Sequence, residues 1–103
     1  MAIIHGTTVA DTVKTEDFTG YFNTVGVLNR STTDTLFVTV GSTSDTPDDP
    51  DHDSGTINGY TVPPGSRRTV TNWVTGPTRV KLMSENAVKY EIEGDRDHHG
   101  PSL

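Results

Sequence analysis

The chain contains no cysteine among its 103 residues, and its apolar and aromatic content is low. The absence of thiols excludes disulfides and zinc–thiolate sites. Only 30% of the residues are hydrophobic and 7% are aromatic, which is below the usual apolar share of a soluble domain. A chain of this length forms one domain around one core, and this core should be thin. We therefore expect neighbours in an oligomer or a larger assembly to contribute to stability.

Long apolar runs and an excess of positive charge are also lacking. No run approaches the roughly 20 apolar residues of a membrane span. The first residues, MAIIHGTTVADTVK, lack the basic and apolar regions of a signal peptide. We therefore expect no membrane partner, and synthesis and use without Sec export. The net charge of −6 argues against a nucleic-acid partner, because phosphate binding needs a basic face.

What the sequence does contain is a series of short strand patterns separated by turn signals. Pro, Gly and Thr interrupt every window, and no segment keeps a helical period over two turns. The alternation is clearest where Val88, Tyr90 and Ile92 are separated by charged residues. The predicted strands are Tyr21–Asn29, Thr35–Val40, Thr56–Val62, Arg67–Val74, Thr78–Met83 and Val88–Glu93. The pattern predicts an all-β fold, a small antiparallel β-sandwich or partly open barrel with extended polar arms at both termini.

The same pattern divides the chain into three segments. Residues 1–17 are expected to form an N-terminal arm or an edge strand, residues 18–94 the sandwich with an acidic loop over 41–55, and residues 95–103 a polar tail. The sequence Pro63-Pro64-Gly65-Ser66 is a strong turn signal, because Pro fixes φ and Gly supplies positive φ. We therefore predict a hairpin between the strands on either side of this turn.

The acidic loop offers weak metal ligands. Asp49, Asp51 and Asp53 stand two residues apart, a spacing at which carboxylates can converge on calcium. However, a Gly falls one position late for a calcium loop, and Tyr60 stands where a bidentate Glu is required. A solvated loop, or one that pairs with basic residues of a partner, is the favoured interpretation. We predict no metal and no cofactor.

Catalytic residues are not indicated, and we predict that the chain is not an enzyme. The sequence has no G-x-S-x-G elbow and no Cys nucleophile. Glu91 and Glu93 alternate with apolar residues, so they are expected on a solvated strand face and not as an acid–base pair. His98 and His99 lie in the polar tail, too short a signal for a metal site.

Aromatic and basic residues leave two binding hypotheses open. Tyr21, Phe37, Tyr60 and Trp73 could form a sugar-binding platform on a sandwich, although so few aromatics are mostly expected in the core. Arg67-Arg68, expected at the tip of the hairpin, is an exposed basic pair. It could dock on an acidic surface such as the loop of an adjacent copy, in a head-to-tail contact.

Three phrases of the sequence, VLNRSTTDTLFVTV, GYTVPPGSRRTV and VKLMSENAVKYEIEG, carry a family resemblance. Between about Tyr21 and Gly94 the chain resembles small structural proteins of tailed bacteriophages, especially phages of actinobacteria. In those proteins a β-sandwich closes with a strand similar to Ala87–Gly94, here with Ile92 at the apolar position. The acidic loop and both tails lie outside the resemblance.

The resemblance implies a capsid decoration or minor capsid protein that cements the outer surface of a phage head. It implies the major capsid protein as partner, a homotrimer, and a virion location after synthesis in the host cytoplasm. A tail, neck or fibre component, or a carbohydrate- or calcium-binding module, are the alternatives. The residues expected to bind partners are Ile3, Ile4, His5, Arg67, Arg68, Asp95, Arg96 and His98.

Overall fold

A computed structural model describes residues 1–51 and 59–96. Within these ranges the chain forms eight strands and no helix. The strands are β1 (Ala2–Thr7), β2 (Lys14–Asp17), β3 (Thr24–Asn29), β4 (Leu36–Ser42), β5 (Tyr60–Val62), β6 (Arg67–Thr71), β7 (Thr78–Met83) and β8 (Lys89–Asp95).

The strands form two antiparallel sheets of four strands each. The first sheet has the order β1-β8-β3-β6, and the second has the order β2-β7-β4-β5. The predicted all-β sandwich is therefore confirmed. Within the described ranges no helix is long and apolar enough to span a membrane.

The core lies between the inner faces of the two sheets, as the alternating patterns predict. Tyr90 and Ile92 of β8 face Val80 and Leu82 of β7, and all four side chains are buried. Successive side chains of a strand point to opposite faces, so the intervening charged residues point outward. The buried hydrophobic residues are Phe18, Val25, Val27, Leu36, Val38, Val62, Val80, Leu82, Val88, Tyr90 and Ile92.

The predicted hairpin around the Pro63-Pro64-Gly65-Ser66 turn is wrong. The turn itself forms, since the Ser66 N–H donates to the Pro63 carbonyl at 3.1 Å and Gly65 has a φ of 70°. However, β5 pairs with β4 in the second sheet, and β6 pairs with β3 in the first. The turn is therefore a crossover between the two sheets, and it closes one side of the sandwich.

The N-terminal residues 1–17 provide two edge strands of the sandwich. β1 pairs with β8 over its whole length, from Ala2 opposite Gly94 to Thr7 opposite Lys89. β2 pairs with β7 at the edge of the other sheet. The N-terminal segment therefore covers strands of its own chain. At the other end, Asp95 is the last residue of β8, and residues 97–103 lie outside the described part.

Candidate docking face and neighbouring groove

Strand register gathers several of the predicted partner-binding residues on the outer face of the first sheet. One cross-strand row runs from Ile3 on β1 through Glu93 on β8 and Gly26 on β3 to Thr69 on β6. Residues paired across strands share one face of a sheet. We call this surface the open face; its side chains come from Ile3, His5, Thr7, Thr24, Leu28, Arg67, Thr69, Thr71, Lys89, Glu91, Glu93 and Asp95.

One ion pair crosses the middle of the open face. The Arg67 guanidinium approaches the Glu93 carboxylate at 2.9 Å, and to do so it passes over Gly26. A Cβ at Gly26 would lie only 2.8 Å from the Arg67 Nη2. Glycine at this position therefore gives the guanidinium room to lie flat on the sheet.

A second charged group lies beside the first. The Glu91 carboxylate is 3.6 Å from Arg30 and 3.8 Å from the Nδ1 of His5. Glu91 and Glu93 are thus not simply solvated, because each faces a cation drawn from a strand or turn distant in sequence. Exposed pairs of this kind contribute only about 0–1 kcal/mol to stability. Their main consequence is to fix where positive and negative groups stand on the surface.

Not all of the predicted partner-binding residues lie on the open face. Ile3 is 48% exposed on the open face, whereas Ile4 points inward and packs against the core. Asp95 belongs to the open face at the end of β8, and the Arg96 Nε donates to the Tyr21 carbonyl at 3.0 Å. His98 lies outside the described residues.

Arg67 and Arg68 do not form a basic pair at a hairpin tip. They are consecutive residues of the outermost strand β6, so their side chains point to opposite faces. The Arg68 guanidinium lies over the Tyr60 ring, 4.9 Å from its centroid, and donates to the Thr61 carbonyl at 3.3 Å. Burial raises the pKa of Tyr60, and the Arg68 cation offsets part of that rise. Arg68 therefore covers the gap between β5 and β6.

The first part of the acidic loop folds back onto the outer face of the second sheet. The Lys81 Nζ lies 2.8 Å from Asp49, and Lys81 is only 14% exposed beneath the loop. The Thr39 hydroxyl donates to the Asp48 carbonyl at 2.6 Å. The basic residues that pair with this loop thus come from the same chain. A head-to-tail contact between the loop and Arg67-Arg68 of another copy would compete with internal partners on both sides.

A bidentate ion pair continues this cover toward β2. Arg79 donates to both carboxylate oxygens of Asp17, at 2.7 and 2.8 Å, and also to the Thr46 hydroxyl at 3.1 Å. The hydrogen bond from Arg79 lowers the pKa of Asp17. Arg79 thereby ties an edge strand and the loop to the same strand, β7.

The weak calcium ligands are not gathered into a site in the described part of the chain. Asp49 already pairs with Lys81, and Asp53 lies outside the described residues. No group of three or more His, Asp or Glu side chains converges there as metal ligands.

The four aromatic residues of the possible sugar platform do not come together, and Trp73 is not in the core. Tyr60 points into the sandwich beneath Arg68, and Phe37 lies on the second sheet. Trp73 is 85% exposed. Together with Tyr21 it lines a groove of about 420 Å³ beside β6.

The sequence places Trp73 on a strand that continues to Val74, but β6 ends at Thr71. The next residue, Asn72, is buried, and its amide donates to the carbonyls of Phe22 and Gly41 at 3.3 and 3.4 Å. This anchor holds the chain against the end of the sandwich, so that Trp73 projects into solvent. An Asn at an inward strand position was the available signal that the strand ends there.

Comparison of the chain with protein-family models, with curated proteins and with solved structures gives no match.

Proposed function

We propose that this chain is a virion structural protein, a decoration protein that binds the outer surface of a phage head through the open face. The major capsid protein would be its partner and a homotrimer its working form. The resemblance to phage structural proteins supports the location in the virion. The contrast between the two outer faces supports the choice of the open face as the docking surface.

That contrast is the observation that carries the proposal. The outer face of the second sheet is covered by the chain's own loop, through Asp48 and Asp49. On the open face, by contrast, Ile3, His5 and Thr69 remain exposed. A sandwich that covers one face internally has the other available for a partner.

The composition of the open face also suits docking. It combines apolar surface from Ile3 and Leu28 with the fixed charges of Arg67, Glu91 and Glu93. Mixed apolar and polar surface is typical of interfaces between proteins that also exist apart. The ion pairs give such a contact its register, because charges that meet like charges on a wrong partner cost several kcal/mol.

A tail, neck or fibre position in the same virion uses the open face equally well. Electron microscopy of particles with a tagged chain would distinguish these locations from the head surface.

The proposal is tested by cosedimentation of the purified chain with heads of the phage that encodes it. We expect the wild-type chain to bind and Ile3→Lys to lose binding at least about tenfold, because a buried interface residue becomes a cation. The fold should tolerate lysine at this position, because Ile3 is half exposed and lies opposite Glu93 on β8.

Val9→Lys is the matched control, because Val9 is 62% exposed and lies outside the strands. It should cosediment like the wild type. Equal binding of all three proteins would mean that the open face is not the docking surface. Absence of the wild-type chain from the pelleted heads would contradict the decoration role itself.

A further inference from the structure

The groove beside β6 has a lining that is aromatic and polar but uncharged. Tyr21 and Trp73 contribute rings, Val70 also lines the groove although its side chain packs against the core, and the other lining residues carry hydroxyl or amide groups: Asn23, Thr24, Thr69 and Thr71. Its volume of about 420 Å³ lies in the range of small-ligand sites, roughly 300–1,000 Å³.

The aromatic part of the groove is held in place. The Tyr21 hydroxyl donates to the Asn72 carbonyl at 2.9 Å, which fixes the ring at the end of β6. Asn72 is itself buried and hydrogen-bonded, and Trp73 follows it directly. Both rings are therefore linked to the buried Asn72, Tyr21 through its hydroxyl and Trp73 through the backbone, while the indole of Trp73 faces solvent.

The backbone of β6 adds hydrogen-bonding groups to this groove. The Asn72 N–H donates to the Asn23 carbonyl, and the Asn29 N–H donates to the Ser66 carbonyl. In an antiparallel pair the hydrogen-bonded residues alternate, so Thr69 and Thr71 direct their N–H and C=O groups away from β3. β6 is the outermost strand of its sheet in the described part of the chain.

We infer that this groove is a binding site for a neutral oligosaccharide. A pyranose ring has an apolar face of C–H groups and a rim of hydroxyls. The Trp73 indole offers a large, exposed apolar surface for the ring face. The Asn and Thr side chains with the outward backbone groups of β6 offer both donors and acceptors for the hydroxyls. The uncharged lining favours a neutral sugar over an acidic or basic one.

The site adjoins the open face without coinciding with Ile3. Three strand spacings separate Thr69 on β6 from Ile3 on β1 in the same cross-strand row, about 14 Å at roughly 4.8 Å per strand. Sugar binding at the groove and docking through Ile3 can therefore be tested separately, and either can fail alone.

Fluorescence gives a direct test, because Trp73 is the only tryptophan in the chain. The purified chain is titrated with cellohexaose, chitohexaose, maltohexaose and xylohexaose. We expect at least one of them to change the emission in a saturable way. In a ¹⁵N–¹H spectrum the same sugar should shift the amide signals of Thr24, Thr69 and Thr71.

Two variants localise the binding, measured through amide shifts. Trp73→Ala should weaken it at least about tenfold, because the stacking surface is lost. Thr71→Val keeps the shape of the side chain but removes its hydroxyl, so it should weaken binding by a smaller factor. Ile3→Lys should bind the sugar like the wild type and fail only on phage heads.

Three results would overturn the site. The first is that none of the four sugars causes a saturable change. The second is that Trp73→Ala binds the sugar as well as the wild type does. The third is that the extended hexapeptide KTVTVK, added in place of the sugars, shifts the same amide signals. The last result would mean that β6 accepts an added strand and that the groove serves a peptide.

Discussion

The Tyr90 side chain closes one side of the sandwich, and Gly6 leaves it the space to do so. The Tyr90 hydroxyl crosses from β8 to donate to the Glu16 carboxylate on β2, and so joins the two sheets where β1 and β2 form their edges. Burial, and then this bond to Glu16, raise the pKa of Tyr90. A Cβ on Gly6 would clash with the Tyr90 hydroxyl and lie 2.8 Å from Glu16. The tyrosine therefore requires glycine at position 6.

We predict that Gly6→Ala destabilises the fold by about 1–3 kcal/mol, because the added methyl group displaces the buried ring end. Urea unfolding measures the change. Gly20→Ala is the control, since a Cβ there meets nothing within 4 Å; its effect should stay within about 0.5 kcal/mol or be slightly stabilising. Equal effects of the two substitutions would show that Tyr90 does not depend on the space at Gly6.

At the scale of an element, the acidic loop behaves as part of the second sheet. Lys81 pairs with Asp49 and Arg79 bonds to Thr46. Gly41 lets the loop approach closely, since a Cβ there would lie 2.9 Å from the Asp45 carbonyl and from Pro47. These contacts hold residues 45–49 on the sheet without a hydrophobic core of their own.

We predict that Lys81→Met loosens the loop without unfolding the domain. Asp49 is 66% exposed and can be solvated when the pair is lost, and methionine keeps the apolar stem of Lys81 covered, so the loss should stay below about 1 kcal/mol and the melting temperature should change little. Cleavage by a protease that cuts before aspartate should nevertheless become several-fold faster at Asp45, Asp48 and Asp49, because local opening becomes easier.

Lys89→Met provides the comparison, because Lys89 is an exposed lysine of the opposite sheet. Its cleavage rate should equal that of the wild type. An unchanged rate in Lys81→Met would show that Lys81 does not hold the loop down.

The position of a strand was predictable where its two faces differ in polarity. The pairing of one strand with another was less predictable. Val80 and Leu82 alternate with Arg79 and Lys81, so β7 and its inner face follow from the sequence alone. The Pro63-Pro64-Gly65-Ser66 turn predicts a reversal of the chain, but no local signal tells which sheet the next strand joins. The pairing of β6 with β3 depends on residues about 40 positions apart.

The candidate sites were less predictable than the fold, for a related reason. Ile3 and His5 belong to the first strand and Arg67 to the sixth, and only the order β1-β8-β3-β6 brings them to one face. The exposure of Trp73 depends on the buried amide of Asn72. Pairings and buried anchors of this kind are long-range, and periodicity does not report them.

At the scale of the whole molecule, the first strand belongs to the fold. β1 pairs with β8 over six residues and covers the edge next to Tyr90 and Ile92. Deleting residues 1–14 would remove β1 along with Lys14 of β2. A loss of binding to phage heads by such a variant would therefore reflect unfolding and not the loss of a docking contact. A point change on the open face is the sharper way to test docking, because it leaves the ladder intact.

Self-association through the open face can be measured in solution. With a chain mass of 11.1 kDa, the proposed homotrimer has a solution mass of about three times that value by light scattering. If the trimer forms through the open face, Ile3→Lys should shift the mass to that of one chain, while Val9→Lys remains trimeric. If Ile3→Lys stays trimeric but fails to bind heads, the open face serves the capsid and the trimer forms elsewhere. A wild-type monomer at all concentrations would contradict a preformed trimer, and assembly would then depend on the capsid lattice.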